Sequence, residues 1–378
     1  MSSLDGPTQA GSGTLFSSRG LTRRLHLDLP LLIALLLTLA IGLFVIYSAG
    51  DKNLNLVIRH SIRALIGLAA LVALAQLPPE RLKRWLPWIF LGGLMLLLLV
   101  MFLGETGKGA QRWLDLGLFR FQPSELMKLA VPGVVAVYIA RNGLPPTFLQ
   151  TMVALTLVVI PTLLVVRQPD LGTGVLIAFA GFVVLLLGGL RWHYLVAGFT
   201  AVLAALPFAW NSLHRYQQDR VLTFLNPEND PLGTGYHIIQ SKIAIGSGGL
   251  HGKGWLNGSQ AHLDFLPERS TDFIFAVLAE EFGFVGVTIL LLLYAFIIGR
   301  SLMIAMKAQD TFGRLFAGSI GLSFFVYVFV NIGMVTGLLP VVGVPLPLIS
   351  YGGTSLVTIL AGFGILMAIH GHRRFLTH

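Results

Sequence analysis

The chain has 378 residues, of which 55% are hydrophobic and 11% are charged, and it contains no cysteine. A water-soluble domain carries about 25% charged residues, so this composition excludes a soluble enzyme or a soluble binding module. Without cysteine, disulfides play no part in the fold. The formal net charge of +9 fits attraction to anionic lipid on one side of a membrane better than a nucleic-acid surface.

Apolar residues come in long uncharged blocks. About 20 such residues form a helix that crosses the roughly 30 Å hydrocarbon core of a bilayer. Because backbone groups in lipid must be satisfied within the segment, the pattern predicts an all-α integral membrane protein. We predict about ten transmembrane helices, at residues 29–49, 62–77, 85–103, 124–140, 148–166, 171–190, 194–210, 273–298, 312–339 and 353–369.

An even number of spans places both termini on one side of the membrane. Residues 1–28 are then an N-terminal tail, 29–372 a single transmembrane domain and 373–378 the C-terminus. When the long segment 211–272 is set aside, Lys and Arg concentrate on the side of the termini, which predicts that both termini are cytoplasmic. Residues 211–272 are then a large extracytoplasmic loop between helices 7 and 8. The apolar residues scattered through it favour ordered packing against the membrane face.

Three arginines lie where the outer face is predicted. Arg59 and Arg63 are at the outer end of the second span, and Arg112 lies in the polar loop between spans three and four. A guanidinium fork can hold two phosphate oxygens at once, which favours an anionic substrate. Plain interfacial anchoring explains the same residues equally well.

Glu125 and Lys128 begin the fourth span three residues apart, so they lie on one helix face as a ready ion pair. Ionisable groups within a bilayer are costly and usually functional, which favours a polar element that lines a cavity open to the outer face. A pair that only orients the helix is the alternative.

Asp272 stands just before the eighth span. Such an Asp can cap the helix by accepting backbone N–H bonds, or it can face a water-accessible cavity as a general base. Glu280 and Glu281 follow about two turns further in. We expect only one of these two adjacent acids to point toward a partner, while the other snorkels or pairs elsewhere.

Two further segments are rich in glycine or proline. Residues 245–254 resemble a nucleotide loop but lack the first Gly and the final Ser or Thr of a Walker A motif, so a flexible or tightly turned backbone is predicted. Residues 339–353 are apolar yet cannot form a regular helix. Irregular backbone at membrane depth is tolerated where protein buries it, so this segment should dip into the bundle near the site.

Five motifs occur in order along the chain and together resemble the SEDS proteins (shape, elongation, division and sporulation). They are GAQRW at 109–113, FQPSELMK at 121–128, QPDLGT at 168–173, LPERSTDF at 266–273 and PLISYGG at 347–353. The likeness covers residues 29–372, and the stretch 341–347 is more similar to the elongation-type members than to the division-type members.

The resemblance implies a peptidoglycan glycosyltransferase of the elongation machinery. Such an enzyme transfers glycan from lipid II at the outer face of the cytoplasmic membrane, releases undecaprenyl diphosphate and works with a class B penicillin-binding protein. The resemblance makes Asp272 the essential loop aspartate, Glu125 and Lys128 the fourth-span ion pair, and Arg59 and Arg112 the cavity arginines. No organic cofactor is expected.

The implied reaction needs a base for a sugar hydroxyl and positive charge for the leaving diphosphate. We expect Asp272 to be the base, with Asp272 as a ligand of Mg²⁺ or Mn²⁺ as the competing assignment. A transporter that flips lipid II across the membrane is the alternative function. The polar residues cluster on the predicted outer face and no inverted repeat is visible, which favours the enzyme.

Overall fold

The computed structural model describes residues 26–107, 110–115, 117, 120–212, 215–226, 233–259 and 268–372. The predicted C-terminus at 373–378 and most of the predicted tail at 1–28 lie outside these residues. The helices, in chain order, are α1 (Leu29–Ala49), α2 (Leu54–Ala75), α3 (Pro79–Leu103), α4 (Pro123–Asn142), α5 (Phe148–Arg167), α6 (Leu171–Leu187), α7 (Trp192–Ser212), α8 (Arg215–Leu225), α9 (Thr234–Ser247), α10 (Ile274–Met306), α11 (Thr311–Val335) and α12 (Thr354–Gly371).

Eight of these helices are long and apolar enough to cross a membrane, and two shorter apolar helices follow the same pattern at Leu171–Leu187 and Trp192–Phe208. Within the described residues, these helices correspond to the ten predicted spans. Local signals set several of their ends. Asp28 caps α1 by accepting a bond from the Leu31 N–H, and Thr147 and Gln150 form a capping box at the start of α5.

The helices differ in how deeply they are buried. Of the residues in the most apolar stretch of each helix, 78% are buried in α4 and 61% in α11, but only 22% in α2. In α7, every described side chain from Val196 to Phe208 is exposed. Since α4 carries Glu125 and Lys128, the predicted ion pair lies on one of the most enclosed helices.

A small antiparallel sheet joins α3 to α4, in a stretch predicted as a polar loop. Its strands are β1 (Glu105–Gly107), β2 (Ala110–Asp115) and β3 (Arg120–Phe121), in the order β1-β2-β3. Leu114 and Asp115 of β2 pair with Phe121 and Arg120 of β3. The sheet therefore holds Arg112 close to the start of α4, which begins at Pro123.

The predicted loop 211–272 contains α8, α9 and a glycine-rich turn. The backbone of this turn forms hydrogen bonds with α10 where that helix is interrupted. The break is at Gly283, with φ 61° and ψ −160°. The turn replaces the missing helical bonds with four others, namely Lys253 N to Glu280 O, Gly254 N to Glu281 O, Phe284 N to Gly249 O and Val285 N to Leu250 O, all 2.9–3.1 Å long. A Cβ at Gly252 would lie 2.1 Å from Glu281 O, so only glycine fits. Of the two predictions for 245–254, the tightly turned backbone is confirmed.

Candidate active site

Asp272 lies in a turn immediately before α10 and is half-buried. The N-cap position of α10 is Phe273, and no side chain caps this helix, so the alternative in which Asp272 is a simple cap does not describe the structure. The amide of Ala276 donates to the carbonyl of Phe273 at 3.0 Å. The Asp272 carbonyl therefore lies outside the helical ladder and takes its bond from elsewhere.

The irregular segment 339–353 is largely buried, most completely over residues 346–350, and it holds the chain around Asp272. The Tyr351 amide donates to the Ser270 carbonyl at 2.8 Å, and the Ser350 hydroxyl donates to the Thr271 carbonyl at 2.6 Å. A Cβ at Gly343 would lie 3.5 Å from Asp272 Oδ2, so the backbone of this segment faces the carboxylate. The prediction that 339–353 dips into the bundle near the site is confirmed.

Glu125 and Lys128 form the predicted ion pair, with Nζ 2.7 Å from Oε1 and both side chains buried. The pair lines a pocket between α4, α11 and α12. Among the residues that the structure describes, Glu125 Oε2 and Ser323 Oγ, two buried atoms of this cavity's lining residues, have no hydrogen-bond partner. Unpaired polar atoms beside a pocket favour a pair that lines a binding site over one that only orients α4.

The ion pair and Asp272 are joined along one face of α11. Ser323, Tyr327 and Asn331 follow at intervals of four residues, which places them on the same side of the helix. Lys128 Nζ lies 5.4 Å from the centre of the Tyr327 ring, and the Asn331 amide donates to the Asp272 carbonyl at 3.0 Å. The residues of α11 that contact Lys128 and Asp272 are therefore about one helical turn apart.

A second, smaller pocket lies beneath residues 345–352, and Ser355 and Ile359 of α12 line both pockets. Glu125 and Lys128 line the first pocket, whereas Asp272 lines neither and is linked to this region through Asn331 of α11.

Arg112 is bound to the turn between α5 and α6 rather than free in a cavity. Its guanidinium donates to the Pro169 carbonyl, and Nη1 lies 3.7 Å from Asp170 Oδ1. Asp170 also accepts a bond from the side chain of Gln122 at 3.1 Å. Because Gln122 immediately precedes α4, this network fixes the start of the helix that carries the ion pair.

Arg59 and Arg63 of α2 differ in their surroundings. Arg59 is exposed and, within the described part of the chain, makes no hydrogen bond or ion pair. Arg63 lies over the ring of Tyr351, with Cζ 4.7 Å from its centre, and the buried ring of His60 lies 6.2 Å from the same ring. Arg63, rather than the predicted Arg59, therefore contacts the segment that holds Asp272.

Glu280 and Glu281 both have partners, on different segments, so the second acid pairs elsewhere rather than snorkelling, which is one of the two outcomes predicted for it. Glu280 Oε1 accepts bonds from Lys253 Nζ at 2.7 Å and from Ser259 Oγ at 3.1 Å. Glu281 Oε1 accepts a bond from Ser48 of α1. Both acids are buried because the glycine-rich turn folds over one face of α10 while α1 packs on another.

Sequence reasoning missed Asn331, Tyr327 and the partners of Arg112. The four-residue spacing of Ser323, Tyr327 and Asn331 within an otherwise apolar helix was a usable signal, because it marks a polar stripe. Asp170 lay in a quoted motif, but nothing in the sequence pairs it with Arg112 across 57 intervening positions.

The chain was compared with known proteins. The family model of cell cycle proteins that covers FtsW, RodA and SpoVE matches residues 28–375. The chain is 54% identical to the peptidoglycan glycosyltransferase MrdB of Escherichia coli strain K12, over 94% of this chain and 96% of that protein.

Two solved structures are also similar. The first, described as the structural coordination of polymerization and crosslinking by a peptidoglycan synthase complex, has a chain with a TM-score of 0.79 and 36% identity, covering 91% of this chain and 97% of that one. The second is the crystal structure of the rod shape determining protein RodA of Thermus thermophilus. It has a TM-score of 0.70 and 30% identity, covering 92% of this chain and 97% of that one.

Proposed function

The chain belongs to the FtsW, RodA and SpoVE family of cell cycle proteins and is a peptidoglycan glycosyltransferase of the elongation type, and we propose that it polymerises lipid II with Asp272 as the general base. The observation that carries the proposal is the placement of a half-buried carboxylate on a backbone bonded at three successive carbonyls, those of Ser270, Thr271 and Asp272. A base that is fixed before the substrate arrives loses little rate to misalignment.

In the proposed step, the 4-hydroxyl of the acceptor sugar attacks the anomeric carbon of the donor. The bond from that carbon to the diphosphate breaks, undecaprenyl diphosphate leaves with the electron pair, and Asp272 accepts the hydroxyl proton. One direct displacement inverts the anomeric centre, so one base is sufficient. General-base help of this kind contributes about 10²–10⁴ in rate.

The leaving diphosphate gathers negative charge that nearby cations can stabilise. The cationic side chains of the site differ in their exposure and in the partners that already occupy them. Arg59 is exposed and Arg63 contacts Tyr351, which supports assigning both to phosphate binding from α2. Arg112 is bound to Asp170, and Lys128 is bound to Glu125. We assign Arg112 to positioning the head of α4, and Glu125 and Lys128 to binding the polar part of the substrate within the cavity.

A divalent cation such as Mg²⁺ or Mn²⁺ would supply further positive charge at the diphosphate. Among the described residues, no group of three or more His, Cys, Asp or Glu side chains could hold a metal ion. Mg²⁺ is often held by one or two carboxylates together with substrate phosphates and water, so Asp272 alone could hold such an ion only with the diphosphate present.

The lipid tail of the substrate must reach the site from the bilayer. α7 is exposed along most of its described length, which leaves the bundle thinly packed on that side. The chain is a multi-pass protein of the cytoplasmic membrane, and we propose that the Asp272 end faces the periplasm or cell exterior. We also propose a class B penicillin-binding protein as partner, on the strength of the structural likeness to a chain of a peptidoglycan synthase complex.

The test is polymerisation of labelled lipid II by the purified protein together with its transpeptidase partner and Mg²⁺. Asp272→Asn keeps the shape of the side chain but removes the base, so we expect the rate to fall by about 10²-fold or more. The matched control is Asp51→Asn, because Asp51 is an exposed acid at the same end of the bundle that pairs with Arg269. Equal rates for wild type and Asp272→Asn would overturn the assignment of the base.

A magnesium titration separates the base from the metal ligand. If Asp272 is the base, the Mg²⁺ concentration that gives half the maximal rate is the same in wild type and in the residual activity of Asp272→Asn. A large increase in that concentration would instead assign Asp272 to metal binding. A lipid-flipping assay in vesicles tests the transporter, which requires flipping without polymerisation.

A further inference from the structure

Asn331 is a fully buried amide on α11 that ties two irregular segments to one helix. Its Nδ2 donates to the Asp272 carbonyl at 3.0 Å and to the Val344 carbonyl at 2.7 Å. A primary amide has two N–H donors, so both are used in these two bonds. The orientation of the amide is unambiguous, because the flipped amide would set its oxygen against two carbonyl oxygens.

Both carbonyls belong to the surroundings of the proposed base. The first is the carbonyl of Asp272 itself, just before the first turn of α10, where the Ala276 amide donates to the Phe273 carbonyl. The second belongs to Val344, the residue after Gly343, whose backbone faces the Asp272 carboxylate. Asn331 therefore holds both the peptide of Asp272 and the irregular backbone that faces its carboxylate.

A buried amide is costly in an apolar helix unless its bonds are satisfied, and an apolar residue would fill the same space without that cost. Within the described residues, Asn331 Oδ1 is buried and lacks a hydrogen-bond partner, so the side chain retains part of the cost. Maximal stability would not select such a residue at this position. A positioning role explains it better.

Resting on the proposed function of Asp272, we propose that Asn331 is a positioning residue that sets the location of the base relative to the substrate cavity. The same helix face carries Tyr327, which lies beside Lys128 one turn away. α11 thus contacts both the ion pair and Asp272 and sets the distance between them. Loss of Asn331 leaves the cavity intact and displaces the base from the acceptor hydroxyl.

The experiment measures the rate and lipid II dependence of polymerisation for Asn331→Leu, which keeps the branched shape of the side chain and has no donor. Asn331→Ser is a second variant that cannot reach both carbonyls and avoids overpacking. The matched control is Ser319→Ala, because Ser319 is fully buried on the same helix and donates one bond to the Ala180 carbonyl at 2.7 Å. It lies about 18 Å from Asn331 along α11.

We expect kcat to fall by about 10–100-fold for both Asn331 variants, since a displacement of about 1 Å in a reacting group has an effect of this size. KM for lipid II should stay within about twofold of wild type. The control should show a comparable change in melting temperature and unchanged kcat. An Asn331 variant that folds and keeps wild-type kcat would overturn the proposal.

A double variant separates this proposal from the proposed base. If Asn331 acts through Asp272, Asn331→Leu should reduce kcat in the wild-type background but cause almost no further reduction in the Asp272→Asn background. An equal fold-reduction in both backgrounds would overturn the positioning role while leaving the base in place. If Asp272→Asn alone has no effect, the proposed base has failed instead.

Discussion

Two buried charge clusters lie at opposite ends of this bundle and differ in how completely their bonds are filled. At the start of α1, Asp28 accepts two bonds from Arg300, at 3.1 and 2.7 Å, and one from the Leu31 amide at 3.0 Å. His370 of α12 lies 3.4 Å from the same carboxylate. Both carboxylate oxygens of Asp28 therefore have partners.

The Glu125–Lys128 pair is bonded differently. A single 2.7 Å contact joins its charges, and Glu125 Oε2 has no partner among the described residues. Next to the pair lies a pocket that is also lined by Tyr327 and Ser323. The first cluster holds α1, α10 and α12 together, whereas the second leaves one carboxylate oxygen unpaired beside a pocket, which is consistent with its proposed role in substrate binding.

The two clusters differ in the feature that separates a structural buried charge from a functional one. Desolvation makes every buried ion pair expensive, so the mere presence of a pair says little about its role. An unsatisfied atom beside an accessible cavity is the informative feature, because stability alone would have filled it. Removing the charges of the Glu125–Lys128 pair should therefore reduce polymerisation, whereas removing the charge of Asp28 should reduce stability alone.

The largest effect is expected at the open cluster. Lys128→Met or Glu125→Gln alone leaves an uncompensated buried group, so each should lower the free energy of unfolding by about 3–5 kcal/mol. The double variant removes both charges and should recover most of that stability. Polymerisation of lipid II should nevertheless stay about 10²-fold or more below wild type in the double variant, because the substrate contacts are missing. Recovery of both stability and polymerisation would make this pair structural.

A smaller effect is expected at the closed cluster. Asp28→Asn retains a helix cap but loses the charge that meets Arg300, so we expect a loss of about 2 kcal/mol in the free energy of unfolding. The rate per folded molecule should match wild type, since the cluster lies about 30 Å from the Asp272 end along α1. Thermal unfolding measures the stability, and a polymerisation assay on the same preparation measures the rate per folded molecule. A selective loss of rate would break the distinction between the clusters.

The fold was largely predictable because membrane helices are set by local properties. α1 begins and ends where the uncharged block from residue 29 to residue 49 does, and α5 begins at the capping box formed by Thr147 and Gln150. Asp272, Glu125 and Lys128 were also found from the sequence, since charges stand out against an apolar background. Each of these predictions depends on residues that are close together along the chain.

The rest depends on contacts between distant segments. The break at Gly283 is visible in the sequence only as one more glycine, and its repair requires the backbone of residues 249–254. Glu280 and Glu281 both have partners because two different segments cover two faces of α10. In the same way, Asn331 reaches Asp272 across 59 positions of the chain. Sequence periodicity marks such residues as polar, but it does not pair them.

The smallest expected effect concerns the pH dependence of stability at Asp28. Burial raises the pKa of this carboxyl, but the hydrogen bonds from Arg300 and the Leu31 amide, with the charges of Arg300 and His370, outweigh it and hold the pKa below its ordinary value of 3.8. A carboxyl with a depressed pKa stabilises the folded state at any pH above its unfolded value, and this contribution disappears as the pH falls through the folded pKa. The difference in melting temperature between wild type and Asp28→Asn should therefore shrink as the pH falls below about pH 4. A difference that stays the same or grows in that acidic range would show that Asp28 is not held in its charged form by Arg300.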